Sequence, residues 1–132
     1  IPLWENGVQL YPLPYYATEK TIEEKPELLA KFVRGLARGW KYAHEHPEEA
    51  VDILVTAYPN LKREDEAEGL AALMPYVFTG ATEKGGWGVM SDEVWQRQLD
   101  LLAKVGAFGN DDPPSIDQVR DNSVLEATRD VR

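Results

Sequence analysis

The sequence of 132 residues contains no cysteine. A chain without thiols forms no disulfide, no thiolate zinc site and no iron–sulfur cluster, and it has no cysteine nucleophile. Cysteine-free proteins occur in oxidising and in reducing compartments, so this absence excludes several kinds of chemistry and leaves the location open.

Positive charge is also scarce, with 14 Lys and Arg against 23 Asp and Glu and a net charge of −9. Binding to nucleic acid or to anionic lipid depends on clustered Lys and Arg, so neither is an expected partner. No apolar run approaches the ~20 residues that cross a bilayer, and direct membrane insertion is not expected. The chain begins with Ile1 and has no recognisable signal peptide, which indicates a mature chain or a piece of one.

The remaining composition is that of a globular protein, with 43% apolar and 28% charged residues. The length suits one domain. Prolines and the alternation Val8-Gln9-Leu10-Tyr11 predict a short strand or strap within residues 1–17. Residues 18–132 are predicted to form one helical domain.

Four main helices are predicted in that domain. Thr21 has the spacing of a capping box with Glu24, and Pro26 and Pro47 suit the first turns of two successive helices. A third helix is expected over 63–76, a long loop over 77–90, and a fourth helix after an N-cap at Ser91. We also predict that Gly35 and Gly39 mark the close approach of another backbone. The fold class is therefore mainly α, with one or two short strands.

Catalytic and metal-binding patterns are weak. His44 and His46 lie two residues apart near a helix end, where their side chains point in opposite directions and cannot share a metal. The glycines around Trp87 lack the Lys and Ser or Thr of a phosphate-binding loop. We therefore predict no catalytic residue, no metal and no cofactor.

Aromatic side chains are the remaining candidates for a binding site. Tyr11, Tyr15 and Tyr16 are concentrated beside prolines, and Trp87 lies on the predicted glycine-rich loop. Such rings stack on flat heterocycles, or they pack against the helical core.

The segment from Pro14 to Leu54 resembles the carboxy-terminal part of the NMT1/THI5-like solute-binding proteins. Its most specific features are a helix opened by Pro26-Glu27, a Gly39-Trp40 pair near the end of that helix, and the restart His46-Pro-Glu-Glu-Ala50. Residues 87–95 and the helix end at Val105-Gly106 continue the resemblance, which extends from about Val8 to Leu125.

The resemblance implies the carboxy-terminal part of a two-lobed α/β fold, the periplasmic-binding-protein type II fold, in an exported protein of the periplasm or cell surface. Such proteins hold a small solute, for example a thiamine-pyrimidine precursor or a sulfonate, in a cleft between the lobes and deliver it to an ABC permease. It also implies that Tyr15 and Tyr16 lie close to the cleft. Tyr11 and Trp87 are added on physical grounds alone.

Because these proteins are about twice as long as this chain, we expect its amino-terminal part to be missing, so that the chain docks with that part or self-associates. Two alternatives stay open. The chain could be a stand-alone helical protein-interaction module, or it could be a relative of the pyrimidine-precursor synthases. The sequence does not identify the solute.

Overall fold

The computed structural model describes residues 3–11 and 14–129. Within these residues the chain is helical and contains no strand. A short 3-10 helix, Trp4–Asn6, precedes the α-helices. These are α1 (Glu19–Glu24), α2 (Pro26–Glu45), α3 (Pro47–Ala57), α4 (Arg63–Val77), α5 (Gly80–Gly85), α6 (Asp92–Lys104), α7 (Ile116–Val119) and α8 (Ser123–Glu126). The prediction of a mainly α fold is confirmed.

The predicted short strand at residues 8–11 is wrong. A strand needs a neighbouring strand for its backbone groups, and the described part of the chain offers none. The N–H of Val8 instead donates to the carbonyl of Leu3 at 3.0 Å, and the N–H of Tyr11 donates to the side chain of Gln98 at 2.8 Å. Side-chain and turn hydrogen bonds thus replace a ladder. Pro12 lies outside the described residues.

Proline and serine signals located the main helices correctly. Pro26 and Pro47 each occupy the first turn of a helix, and the helical conformation is interrupted at His46, between α2 and α3. The hydroxyl of Ser91 accepts the N–H of Val94 at 3.2 Å, which caps α6. The predicted capping box at Thr21 is wrong, because α1 begins earlier and Thr18 accepts the N–H of Thr21 at 3.2 Å.

The predicted loop over 77–90 contains a helix, α5. Its N-terminus is capped reciprocally, since the N–H of Thr79 donates to the hydroxyl of Thr82 at 2.7 Å and the N–H of Thr82 donates back at 3.4 Å. A pair of threonines performs here the role that a capping box usually gives to a Ser or Thr with a Glu or Gln. That substitution explains why the sequence pattern did not reveal the helix.

The chain divides into two compact units. The first comprises the described residues of Ile1–Glu24 together with Met90–Ser123, and its buried apolar side chains belong to α6: Val94, Trp95 and Leu99. The second comprises Lys25–Val89 with the described residues of Val124–Arg132. Its buried apolar side chains are small ones on α2 and α3: Ala30, Ala37 and Val51. The division of the sequence at residue 17 stays a prediction.

In the part of the chain that the structure describes, none of the helices has the length and apolar character that a membrane span requires.

Candidate functional site

Tyr11 ties the amino-terminal segment to α6 in the first unit. Its ring lies 5.9 Å from that of Trp95, centroid to centroid, with the planes tilted by 49°. Its hydroxyl accepts the N–H of Ser91 at 2.9 Å, and its own N–H donates to Gln98. Because both ends of the residue are engaged by α6 and its cap, Tyr11 holds the segment in place.

Tyr15 and Tyr16 are the exposed aromatic residues of the same segment. They lie between residue 14 and α1, where the chain has no regular structure, and their side chains are 60% and 96% exposed. α1 begins three residues after Tyr16, at Glu19. Two exposed tyrosines thus precede the first α-helix.

Trp87 belongs to the second unit and is half-buried. It is flanked by Gly86 and Gly88, both at φ 85°, a left-handed conformation that favours glycine. A Cβ at Gly88 would lie 3.5 Å from the side chain of Leu125. The two glycines thus turn the chain on both sides of the tryptophan.

The second unit also contains an apolar groove that sequence reasoning did not identify. It encloses about 490 Å³ between α2, α3 and α4. Its lining residues are Gly35, Leu36, Gly39, Trp40, Ala43, Ala50, Val51, Leu54, Glu66, Gly69, Leu70 and Leu73. The periodicity of each helix predicted its apolar side, but the groove depends on how three helices meet, which one sequence does not specify.

The space where the glycines of this groove would carry a Cβ is open. A Cβ at Gly35, Gly39 or Gly69 would have no neighbour within 4 Å. The prediction that Gly35 and Gly39 mark the close approach of another backbone is therefore wrong within the described residues. Instead, these glycines leave open space in the lining of the groove.

Arg63 joins α4 to α3. Its Nε lies 2.6 Å from Asp52 and its terminal nitrogen 2.5 Å from Glu48. The hydrogen bonds to Glu48 and Asp52 raise the pKa of Arg63 above its usual value, so the guanidinium is charged at every pH at which the protein is folded. This charge fixes the start of α4 beside the groove.

Both histidines lie against aromatic rings. The ring centroid of His44 lies 4.3 Å from that of Phe78 in a stacked arrangement with the planes 20° apart, and the ring centroid of His46 lies 4.8 Å from that of Tyr42 with the planes tilted by 40°. The hydroxyl of Tyr42 donates to Glu49, which raises the pKa of the phenol. Among the residues described, no group of three or more His, Asp or Glu side chains could hold a metal ion.

Comparison with known proteins connects this helical chain to a family. The model of the family described as NMT1/THI5 like matches residues 1–50, which include the tyrosine segment (Tyr11, Tyr15 and Tyr16) and α2. Residues 1–50 are therefore similar to this family. This confirms the resemblance found in the sequence, and the helical structure is consistent with the carboxy-terminal part of the type II fold that the family implies.

Two curated proteins similar to this chain are named as binding proteins. The chain is 29% identical over 103 residues to the formylaminopyrimidine-binding protein of Halalkalibacterium halodurans, an alignment that covers 74% of this chain and 30% of the relative. It is 27% identical over 92 residues to the riboflavin-binding protein RibY of Chloroflexus aurantiacus, covering 67% of this chain and 26% of the relative. No solved structure matches significantly. The chain thus spans under a third of each relative's length.

Proposed function

We propose that this chain is part of the solute-binding component of an ABC importer and helps to capture a small nitrogen heterocycle. The observation that carries the proposal is the match to two proteins named for binding such compounds, a formylaminopyrimidine and riboflavin. Both solutes contain a flat pyrimidine-type ring. A solute of this shape suits a site built from aromatic side chains and a few polar groups.

Tyr15 and Tyr16 are the proposed stacking residues of this chain. They fall inside the segment that matches the family, and their exposure leaves aromatic surface for a ligand. Offset stacking of an aromatic pair contributes about 0.5–1.5 kcal/mol beyond the area it buries. Tyr11 supports the site by anchoring the segment to α6. Trp87 is proposed as a further aromatic contact in the second unit.

The mechanism proposed for the whole protein is closure of two lobes over the solute. A ligand stabilises the closed state only through contacts that it makes better there than in the open state. Exposed rings suit this role, because they offer aromatic surface that a closing lobe can press against the solute. The docking of this chain with the rest of such a protein, its delivery of solute to a permease and its location in the periplasm or at the cell surface belong to the same proposal.

A binding role is preferred to catalysis. Both relatives carry the names of binding proteins, which favours this role over that of a synthase relative. The proposal assigns the chain no catalytic residue.

The test is to titrate riboflavin and formylaminopyrimidine into this chain and into any longer protein that its gene encodes, using calorimetry. Riboflavin fluorescence gives a second readout, because stacking on tyrosine quenches it. We expect Tyr15→Ala with Tyr16→Ala to weaken binding about tenfold, since two stacking contacts are lost.

Tyr58→Ala is the matched control, because Tyr58 is 58% exposed and lies outside the tyrosine segment. Affinity unchanged by the double variant would remove Tyr15 and Tyr16 from the site. If neither compound bound the longer protein, the proposed class of solute would be wrong.

A further inference from the structure

The groove between α2, α3 and α4 has the dimensions of a small-molecule site. Its volume of about 490 Å³ lies within the range of roughly 300–1,000 Å³ that is typical of ligand pockets. Along α2 it extends from Gly35 to Ala43, nine residues that span about 12 Å of helix. Its lining is apolar apart from Glu66, so a ligand with an apolar portion fits it best.

Charge selects among apolar ligands. Glu66 is the one charged residue in the lining, and it is half-buried. It follows Glu64 and Asp65 on the first turns of α4 and precedes Glu68, and none of these four carboxylates forms an ion pair with another described residue. Arg63, the nearest cation in sequence, is engaged by α3. The lining of the groove is therefore apolar apart from one carboxylate, that of Glu66.

We propose that this groove binds a small amphiphilic cation, with its apolar tail against the apolar lining and its cationic group beside Glu66. Charge complementarity between Glu66 and a cationic head decides this class of occupant, and the apolar lining accounts for the tail. The site lies wholly in the second unit and involves neither Tyr15 nor Tyr16. It is therefore independent of the solute site proposed above.

The test is a calorimetric titration of the chain with decyltrimethylammonium, kept below the concentration at which it forms micelles. Decyl sulfate has the same tail with an anionic head, and tetramethylammonium has the head without the tail. We expect one saturable site for decyltrimethylammonium, with binding at least about tenfold weaker for each of the other two probes, because each loses one of the two complementary features.

Two variants locate the site. Gly39→Leu puts a side chain into the open space at Gly39 and should weaken binding of the cationic amphiphile by about tenfold or more. The helix should persist, because leucine has a higher helix propensity than glycine. Glu66→Gln should weaken binding of decyltrimethylammonium about two- to fivefold, as expected for a partly exposed charge pair. It should also reduce the ratio of the affinities for decyltrimethylammonium and decyl sulfate. Gly80→Leu is the control, because Gly80 is also helical with open space around its Cβ position but lies outside the groove.

Three results would overturn the proposal. Equal affinity for the cationic and anionic amphiphiles would remove the role of Glu66. Binding that Gly39→Leu leaves unchanged, with circular dichroism showing a folded variant, would put the ligand elsewhere. A dimer of the chain that Gly39→Leu abolishes would assign the groove to a second copy instead.

Discussion

The phenol of Tyr42 and the carboxylate of Glu49 meet across the break between α2 and α3. This hydrogen bond raises the pKa of the phenol above its unfolded value of about 10. A raised folded pKa means that the associated stability is present below the unfolded value and is lost as pH rises through the folded one. Tyr42→Phe should therefore lower stability at pH 8 and change it little once the pH exceeds the folded-state pKa of the Tyr42 phenol.

Urea denaturation of both proteins at a series of pH values measures this difference. Tyr58→Phe serves as the control, since Tyr58 is another exposed tyrosine of the second unit. A gap between wild type and Tyr42→Phe that stays constant through alkaline pH would show that the hydrogen bond to Glu49 does not stabilise the fold.

Trp95 is the largest side chain in the core of the first unit, with 7% of its surface exposed. Trp95→Ala should cost about 3–5 kcal/mol in the free energy of unfolding, because it leaves a cavity. The Nε1 of Trp95 has no hydrogen-bond partner among the described residues, and a buried unpaired donor costs about 1–3 kcal/mol. Trp95→Phe removes that donor together with some volume, so its net effect should be under about 1.5 kcal/mol.

Trp40 provides the comparison. Trp40 is half-buried and lines the groove of the second unit. Trp40→Ala should therefore destabilise the chain clearly less than Trp95→Ala in the same urea experiment. Equal losses would mean that the groove is closed in solution.

The glycines of α2 control its stability at the scale of the element. Gly39 is helical, and a Cβ there would meet nothing within 4 Å. Gly39→Ala should stabilise the chain by about 0.5–1 kcal/mol, because alanine loses less backbone entropy than glycine when it enters a helix. Urea denaturation would detect a gain of this size.

Gly106→Ala is the matched opposite. Gly106 follows α6 at φ 74°, a conformation that alanine adopts only with strain, so this variant should be destabilised. If Gly39→Ala also lost stability, a neighbour would occupy the space beside Gly39. The groove would then not be open at this residue.

The helices that could be predicted are those with local signals. Pro26, Pro47 and Ser91 act through their own backbone geometry or their own hydroxyl, so the starts of α2, α3 and α6 are visible in the sequence. The short helices α1 and α5 have too few residues for a periodic pattern and use threonine caps of unexpected register or composition. The strand at 8–11 failed because alternation cannot supply a partner strand.

The candidate site was predictable to a similar extent. Aromatic residues beside prolines identified Tyr11, Tyr15 and Tyr16, but only the contacts to α6 distinguish the anchoring Tyr11 from the exposed pair. The groove was invisible, because its lining comes from three helices whose packing is a tertiary property. Gly35, Gly39 and Gly69 were the available signal, and they mark open space rather than close packing.

At the scale of the whole molecule, the limited burial is consistent with the partial coverage of its relatives. The alignments cover 30% and 26% of the two binding proteins. The described helices expose large apolar side chains, among them Leu28, Phe32, Ile53 and Tyr76. Since helices in α/β proteins bury such faces against a sheet, these residues suit contact with further protein.

Opposing forces therefore act between two copies of the chain. The net charge of −9 keeps them apart, while exposed apolar side chains on α2, such as Leu28, draw them together. Salt screens the charge, since the Debye length falls from about 30 Å in 0.01 M salt to 3 Å in 1 M. We expect sedimentation velocity at pH 7 to show monomers in low salt and growing association in high salt.

Leu28→Gln tests the apolar contribution, because it leaves the net charge unchanged and replaces a side chain that is 57% exposed. It should weaken association in high salt without changing the low-salt behaviour. In low salt, lowering the pH of the wild-type protein towards its pI of about 4.7 should promote association as salt does, because the repulsive net charge disappears. A mass independent of salt and pH would show that the exposed apolar side chains do not drive self-association, and that they are available for other partners.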